Sequence, residues 1–144
     1  MNLIRHTGIF VKNLEEMKDF YMKNFDMNIA VHDTEVGDYI SSLYGKDGSE
    51  IEVELYKLIT VDGCMIELLK IKSENDEDVH SNQVYFGGCC HIAFTVVDVD
   101  DLYSRLTREG VEFYSKPLLS RDKMHKVCFC RDPEGNYLEL VEDL

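Results

Sequence analysis

Apolar and polar positions follow the same order twice along this chain. Arg5-His6-Thr7-Gly8-Ile9-Phe10-Val11 reads as a strand, after which Leu14, Met17, Phe20, Tyr21 and Phe25 fall on one stripe at helical spacing. The segment Cys90-His91-Ile92-Ala93-Phe94-Thr95-Val96 repeats the strand 85 positions later, and Val99, Leu102, Tyr103 and Leu106 repeat the stripe. Asn13 and Asp98 stand where a side-chain oxygen accepts from the free N–H groups of a first helical turn, and Gly110 stands where the second helix ends. A further pair closes each half: Gly63-Cys64-Met65-Ile66-Glu67-Leu68-Leu69-Lys70 and Gly135-Asn136-Tyr137-Leu138-Glu139-Leu140-Val141-Glu142. Asp62-Gly63 and Asp132-Pro133-Glu134-Gly135 are hairpin signals, and the strand-like runs Ile51 to Val61 and Lys126 to Arg131 precede them. Each half therefore reads β-α-β-β-β.

These repeats divide 1–144 into a first module over 1–72, a linker over 73–86 whose core is the acidic run Ser73-Glu74-Asn75-Asp76-Glu77-Asp78, and a second module over 87–144. The first module is longer, and its surplus is expected within His32 to Glu50. There Tyr39-Ile40-Ser41-Ser42-Leu43-Tyr44 is predicted as a short helix ending at Gly45, an insertion suited to walling a pocket.

Composition narrows the classes of function. Apolar residues at 44% and charged residues at 30% suit a globular fold, and the chain carries neither a signal-peptide pattern nor an apolar run of membrane-spanning length. A net charge of −13 disfavours nucleic acid and anionic membrane as partners. Five cysteines without paired C-x-x-C spacing point to a reduced, cytoplasmic setting, with Cys64, Cys128 and Cys130 expected as small hydrophobes on buried strands.

The candidate chemistry sits at matching places in the two halves. Each has a His at the start of its first strand, His6 and His91, and a Glu inside its last, Glu67 and Glu139. A carboxylate flanked by Ile66 and Leu68, or by Leu138 and Leu140, is costly to bury unless it is paired or bound to a metal. Two imidazoles and two carboxylates form an N₂O₂ set suited to one divalent ion (Zn, Ni, Co, Mn or Fe) and too nitrogen-rich for a dedicated calcium site. A six-coordinate ion held by four protein ligands keeps two positions for neighbouring substrate oxygens, a geometry that polarises a carbonyl.

These residues, with the motif Cys130-Arg131-Asp132-Pro133-Glu134-Gly135-Asn136, resemble the vicinal-oxygen-chelate superfamily, which includes glyoxalase I, methylmalonyl-CoA epimerase, extradiol dioxygenases and fosfomycin-resistance proteins. The resemblance implies an α+β fold of two tandem βαβββ modules in a curved open barrel, with His6, Glu67, His91 and Glu139 on the four metal-ligand positions. The full His-Glu-His-Glu set is similar to that of bacterial glyoxalase I. It implies a lyase, isomerase or epimerase that moves a proton next to a chelated carbonyl of a small-molecule substrate, with Glu139 as first candidate for the base and Glu67 as second. A metal-dependent dioxygenase and a non-catalytic, resistance-type binding protein are the alternatives, and the family architecture implies a homodimer. The chain departs from glyoxalase I after Glu67: Leu68-Leu69-Lys70-Ile71-Lys72 stands in place of an asparagine-containing segment used near glutathione. Lys70, Lys72, Arg121, Lys123 and Lys126 are candidates for the phosphates of a CoA thioester.

Overall fold

The structure, a computed structural model, describes residues 5–38, 40, 51–72, 91–120 and 122–144. The chain divides into two compact units, Met1–Asp78 and Val79–Leu144. In the first unit β1 (Thr7–Phe10) leads into α1 (Leu14–Phe25), followed by β2 (Asn28–Val36), β3 (Glu52–Ile59) and β4 (Met65–Lys72). In the second, β5 (His91–Thr95) leads into α2 (Val99–Arg108), then β6 (Leu118–Leu119), β7 (His125–Arg131) and β8 (Tyr137–Asp143). The two four-stranded sheets have equivalent orders, β1-β4-β3-β2 and β5-β8-β7-β6. Each pairs its first strand parallel to its last and its last two strands as an antiparallel hairpin. The α+β class and the twice-repeated β-α-β-β-β order are both as the sequence predicts.

Local chemistry accounts for the boundaries. Asn13 Oδ1 accepts from Glu16 N–H at 3.3 Å and Asp98 Oδ1 from Asp101 N–H at 2.8 Å, so both helices start at the expected caps. Acidic residues in each first turn favour the positive end of the helix dipole. Gly110, at φ 88°, takes the left-handed turn just beyond α2 that a side chain would strain.

One face of each sheet is covered by its helix. Leu14, Met17 and Tyr21 are the buried stripe of α1, which packs on β3 and β4; Val99, Leu102 and Leu106 are that of α2, which packs on β7 and β8. Strand alternation then sends Leu58 and Leu68 to one helix, and Cys128, Cys130, Leu138 and Leu140 to the other, all fully buried. Each buried leucine contributes about 1.5–3 kcal/mol. On the opposite face of the first sheet a smaller cluster forms from Ile40, Ile51, Val53, Leu55 and Leu69, with Ile71 against it.

His32 to Val36 complete β2, an edge strand paired with β3, and most of the remaining stretch to Glu50, where the surplus is expected, lies outside the described residues. One expectation changes. Cys64 is exposed rather than buried, since it lies in the turn ahead of β4 and not within the strand. The predicted helix at Tyr39 to Tyr44 lies outside the described residues except for Ile40, as does the linker at 73–86.

Candidate functional site

Glu67 owes its direction to its neighbours. Ile66 and Leu68 turn towards α1, so the alternating backbone of β4 sends the carboxylate to the opposite face. Gly8 of β1 and Lys57 of β3 flank it in register, and His6, two residues before Gly8, shares their side of the sheet. His6 Nε2 lies 2.9 Å from Glu67 Oε2, while Lys57 Nζ lies 3.2 Å from Glu67 Oε1. The two carboxylate oxygens are thus divided between an imidazole and an ammonium. A Cβ on Gly8 would touch Leu69 Cδ1 at 3.4 Å, an ordinary contact. The Ile40 cluster fills the same face one step further along β4, at Leu69, and Glu67 keeps only 11% of its side chain exposed.

The second unit builds the same row with other residues. Glu139 lies between Ala93 of β5 and Phe129 of β7, and His91 stands two residues before Ala93. His91 Nε2 is 3.1 Å from Glu139 Oε2, and the ring of Phe129 meets that of His91 edge-on at 5.3 Å. Glu139 keeps 25% of its side chain exposed and His91 46%. The turn feeding β8 is braced by the buried Asp132, whose carboxylate accepts from the N–H groups of Glu134 and Asn136 and from the Asn136 amide, at 3.0, 2.9 and 2.8 Å. Beside it Arg131 lies over the rings of Tyr114 and Tyr137 and donates to the Tyr114 hydroxyl at 2.9 Å.

The structure therefore brings the four sequence-predicted residues together as two pairs, His6 with Glu67 and His91 with Glu139. Among the described residues of each unit, no third His, Cys, Asp or Glu joins the pair. Each pair fits a divalent transition ion. Two donors bound at about 2.1 Å and at right angles around one ion lie about 3 Å apart, close to both observed separations. Nδ1 of His6 is buried with no hydrogen-bond partner among the described residues. Nε2, the ring nitrogen that faces the carboxylate, is the atom through which His6 would reach a metal.

Two of the described cysteines are buried on β7. Burial pushes Cys128 up to about 11 and Cys130 up to about 12, which leaves both protonated and unreactive at neutral pH. Of the lysines considered for phosphate binding, Lys72 is taken up by Glu52 at 2.5 Å and Lys126 by Asp100, both in exposed pairs; Arg121 lies outside the described residues.

Lys57 and Phe129 escaped sequence reasoning. A signal for them existed: Lys57 and Glu67 each stand five positions from Asp62 in the first hairpin, and Phe129 and Glu139 five positions from Glu134 in the second. Counting outward from the turn identifies the residue beside each carboxylate.

The family model described as Glyoxalase/Bleomycin resistance protein/Dioxygenase superfamily matches residues 3–140. The lactoylglutathione lyase of Schizosaccharomyces pombe (strain 972 / ATCC 24843) is 28% identical over 142 residues, covering 96% of this chain and 46% of that protein. The chain thus spans about half the length of the curated relative it matches. Among solved structures, a glyoxalase family protein from Bacillus cereus aligns at TM-score 0.88 and 26% identity, covering 100% of this chain and 97% of the other. A fosfomycin resistance protein, FosX, from Listeria monocytogenes, solved in complex with Mn(II) and sulfate ion, aligns at TM-score 0.60 and 17% identity, covering 100% and 94%, and shares the fold.

Proposed function

This chain belongs to the Glyoxalase/Bleomycin resistance protein/Dioxygenase superfamily, and on that premise we propose that it is a divalent-metal-dependent lyase, isomerase or epimerase acting on a small carbonyl substrate. One observation carries the reading: both modules set an imidazole Nε2 beside a strand-borne carboxylate, at 2.9 and 3.1 Å, on equivalent strands and in equivalent register. His6, Glu67, His91 and Glu139 are the residues that would supply the ligands for such an ion. When bound, such an ion supplies Lewis-acid polarisation of the substrate carbonyl, which acidifies the adjacent C–H.

The chain's own residues divide the remaining work. Glu67, held at both oxygens by His6 and Lys57, is the fixed carboxylate. Glu139, more exposed and flanked by an aromatic ring, is the carboxylate free to swing, accept the proton from the carbon and return it to the same or the neighbouring carbon. The ring of Phe129 packs edge-on against His91. The similarity to the lactoylglutathione lyase of Schizosaccharomyces pombe supports lyase chemistry, and the manganese in FosX supports a divalent ion. Three described cysteines, all free, support a reducing cytoplasmic setting, and a homodimer follows the family architecture.

The test has two stages. Purified protein reconstituted separately with Ni(II), Zn(II) and Mn(II) should retain about one ion per chain by elemental analysis. It should then catalyse solvent-deuterium exchange beside the carbonyl of at least one member of a panel of α-hydroxy ketones, α-keto hemithioacetals and acyl thioesters. Retained metal without exchange would favour a binding protein, and exchange that survives the double substitution of Glu67 and Glu139 by Gln would overturn the mechanism.

A further inference from the structure

The two modules repeat the His–Glu pair in equivalent register but differ in charge at the residue directly across from the carboxylate. Opposite Glu139 it is the neutral Phe129; opposite Glu67 it is Lys57, whose ammonium lies 3.2 Å from Oε1. Glu67 is also the more buried carboxylate, with 11% of its side chain exposed against 25% for Glu139. A buried carboxylate demands a nearby positive charge, and removing the partner of a buried pair is strongly destabilising. The side chains that face Glu67 at this distance are His6 at Oε2 and Lys57 at Oε1.

We propose that Lys57 is a positioning residue that serves as a built-in counter-ion: it balances Glu67 when no metal does, and it holds the metal affinity of the site below what the bare donors would give. The inference rests on the metal-binding reading above and deepens it. Two consequences of opposite sign follow. Without metal, Lys57 keeps the carboxylate compensated, so the first unit does not depend on an ion to remain folded. With metal, the ammonium repels a double positive charge placed at Oε2. At about 6 Å in a water-like dielectric that repulsion is worth about a factor of ten in binding. Lys57 also keeps Oε1 engaged, so Glu67 is offered to the ion through Oε2.

The experiment uses the full chain and metal alone. Thermal unfolding is followed with and without Zn(II), and Zn(II) affinity is measured by calorimetric titration, for the natural protein and for Lys57→Met, Lys57→Arg and Phe129→Lys. Lys57→Met should lower the melting temperature of the metal-free protein by about 5 °C and raise Zn(II) affinity about tenfold, so that metal stabilises the variant more than the natural protein. Lys57→Arg, which keeps the charge, should restore both values. Phe129→Lys, which places an ammonium beside Glu139, should weaken Zn(II) binding by a similar factor. A lysine that merely packs would lower the melting temperature without tightening metal binding, and that result overturns the proposal. If Lys57→Met fails to fold without metal, Phe129→Lys still decides it: unchanged affinity there sinks the counter-ion argument. A natural protein that binds no Zn(II), Ni(II) or Mn(II) overturns the metal reading itself. Failure of the present inference has a different signature: a natural protein that binds and a Lys57→Met variant that binds no more tightly.

Discussion

The first and second modules share strand order, cap positions and hairpin register, yet the same His–Glu pair lives in two environments. In the first, Glu67 is packed beside a hydrophobic cluster and held at both oxygens; in the second, Glu139 stands in register with Phe129 and is more exposed to solvent. Repetition of a βαβββ unit explains why an imidazole and a carboxylate meet twice. It does not explain why the neighbours differ, and that difference is what assigns unlike roles to like residues. A carboxylate locked at both oxygens suits a permanent ligand, while one held at a single oxygen suits proton transfer.

The largest effect should come from comparing the two carboxylates directly. Glu139→Gln is expected to slow solvent-deuterium exchange about 10²–10⁴-fold, the usual contribution of a positioned base, while the protein still retains metal. Glu67→Gln should act mainly on the metal, weakening it by more than the roughly 10–100-fold typical of losing an outer-shell partner. Exchange kinetics and calorimetric titration on both variants would break the comparison if the assignments came out reversed, with Glu67→Gln losing exchange at full metal content.

A smaller effect separates the two hairpins. Asp132 is buried and accepts three hydrogen bonds within its turn, so Asp132→Ala should cost about 2–3 kcal/mol in urea unfolding. The equivalent position in the first hairpin is Thr60, whose exposed hydroxyl bonds Asp62 and the Cys64 carbonyl, and Thr60→Ala should cost only about 0.5–1 kcal/mol. Equal losses would mean that burial of the Asp132 carboxylate carries no special weight.

Much of this design was legible in the chain because duplication doubles every signal. A lone strand histidine or glutamate means little, but His6 and Glu67 recurring as His91 and Glu139 made the pairing visible, and the caps at Asn13 and Asp98 located both helices. What stayed hidden depends on tertiary context. Strand β2 is exposed at nearly every position and β6 is two residues long, so neither leaves a clean alternation of buried and exposed residues. Cys64 follows a glycine turn, and an apolar-looking residue there faces water. Lys57 sits in Glu54-Leu55-Tyr56-Lys57-Leu58 and reads as an ordinary solvent-facing lysine; only the register across the hairpin reveals that it faces Glu67. Strand register is a long-range property, and the residue that distinguishes the modules is visible only through it.

The smallest effect tests whether the modules also differ where their helices begin. Asp98 is a charged cap accepting at 2.8 Å, and Asn13 a neutral one accepting at 3.3 Å. A charged acceptor interacts with the dipole as well as with the N–H, so Asp98→Ala should cost about 1–2 kcal/mol and Asn13→Ala about 0.5–1 kcal/mol. Glu142 does not substitute for Asp98, because its carboxylate accepts from a different donor, the Val99 N–H, at 2.9 Å. Asp98→Asn then isolates the charge: it keeps the hydrogen bond, gives up the dipole interaction, and should recover all but about 0.3–1 kcal/mol. Urea midpoints at constant m-value measure all three. If Asn13→Ala proves the costlier change, the hydrogen-bond geometry of the caps does not rank them, and the difference between the modules lies in the strands alone.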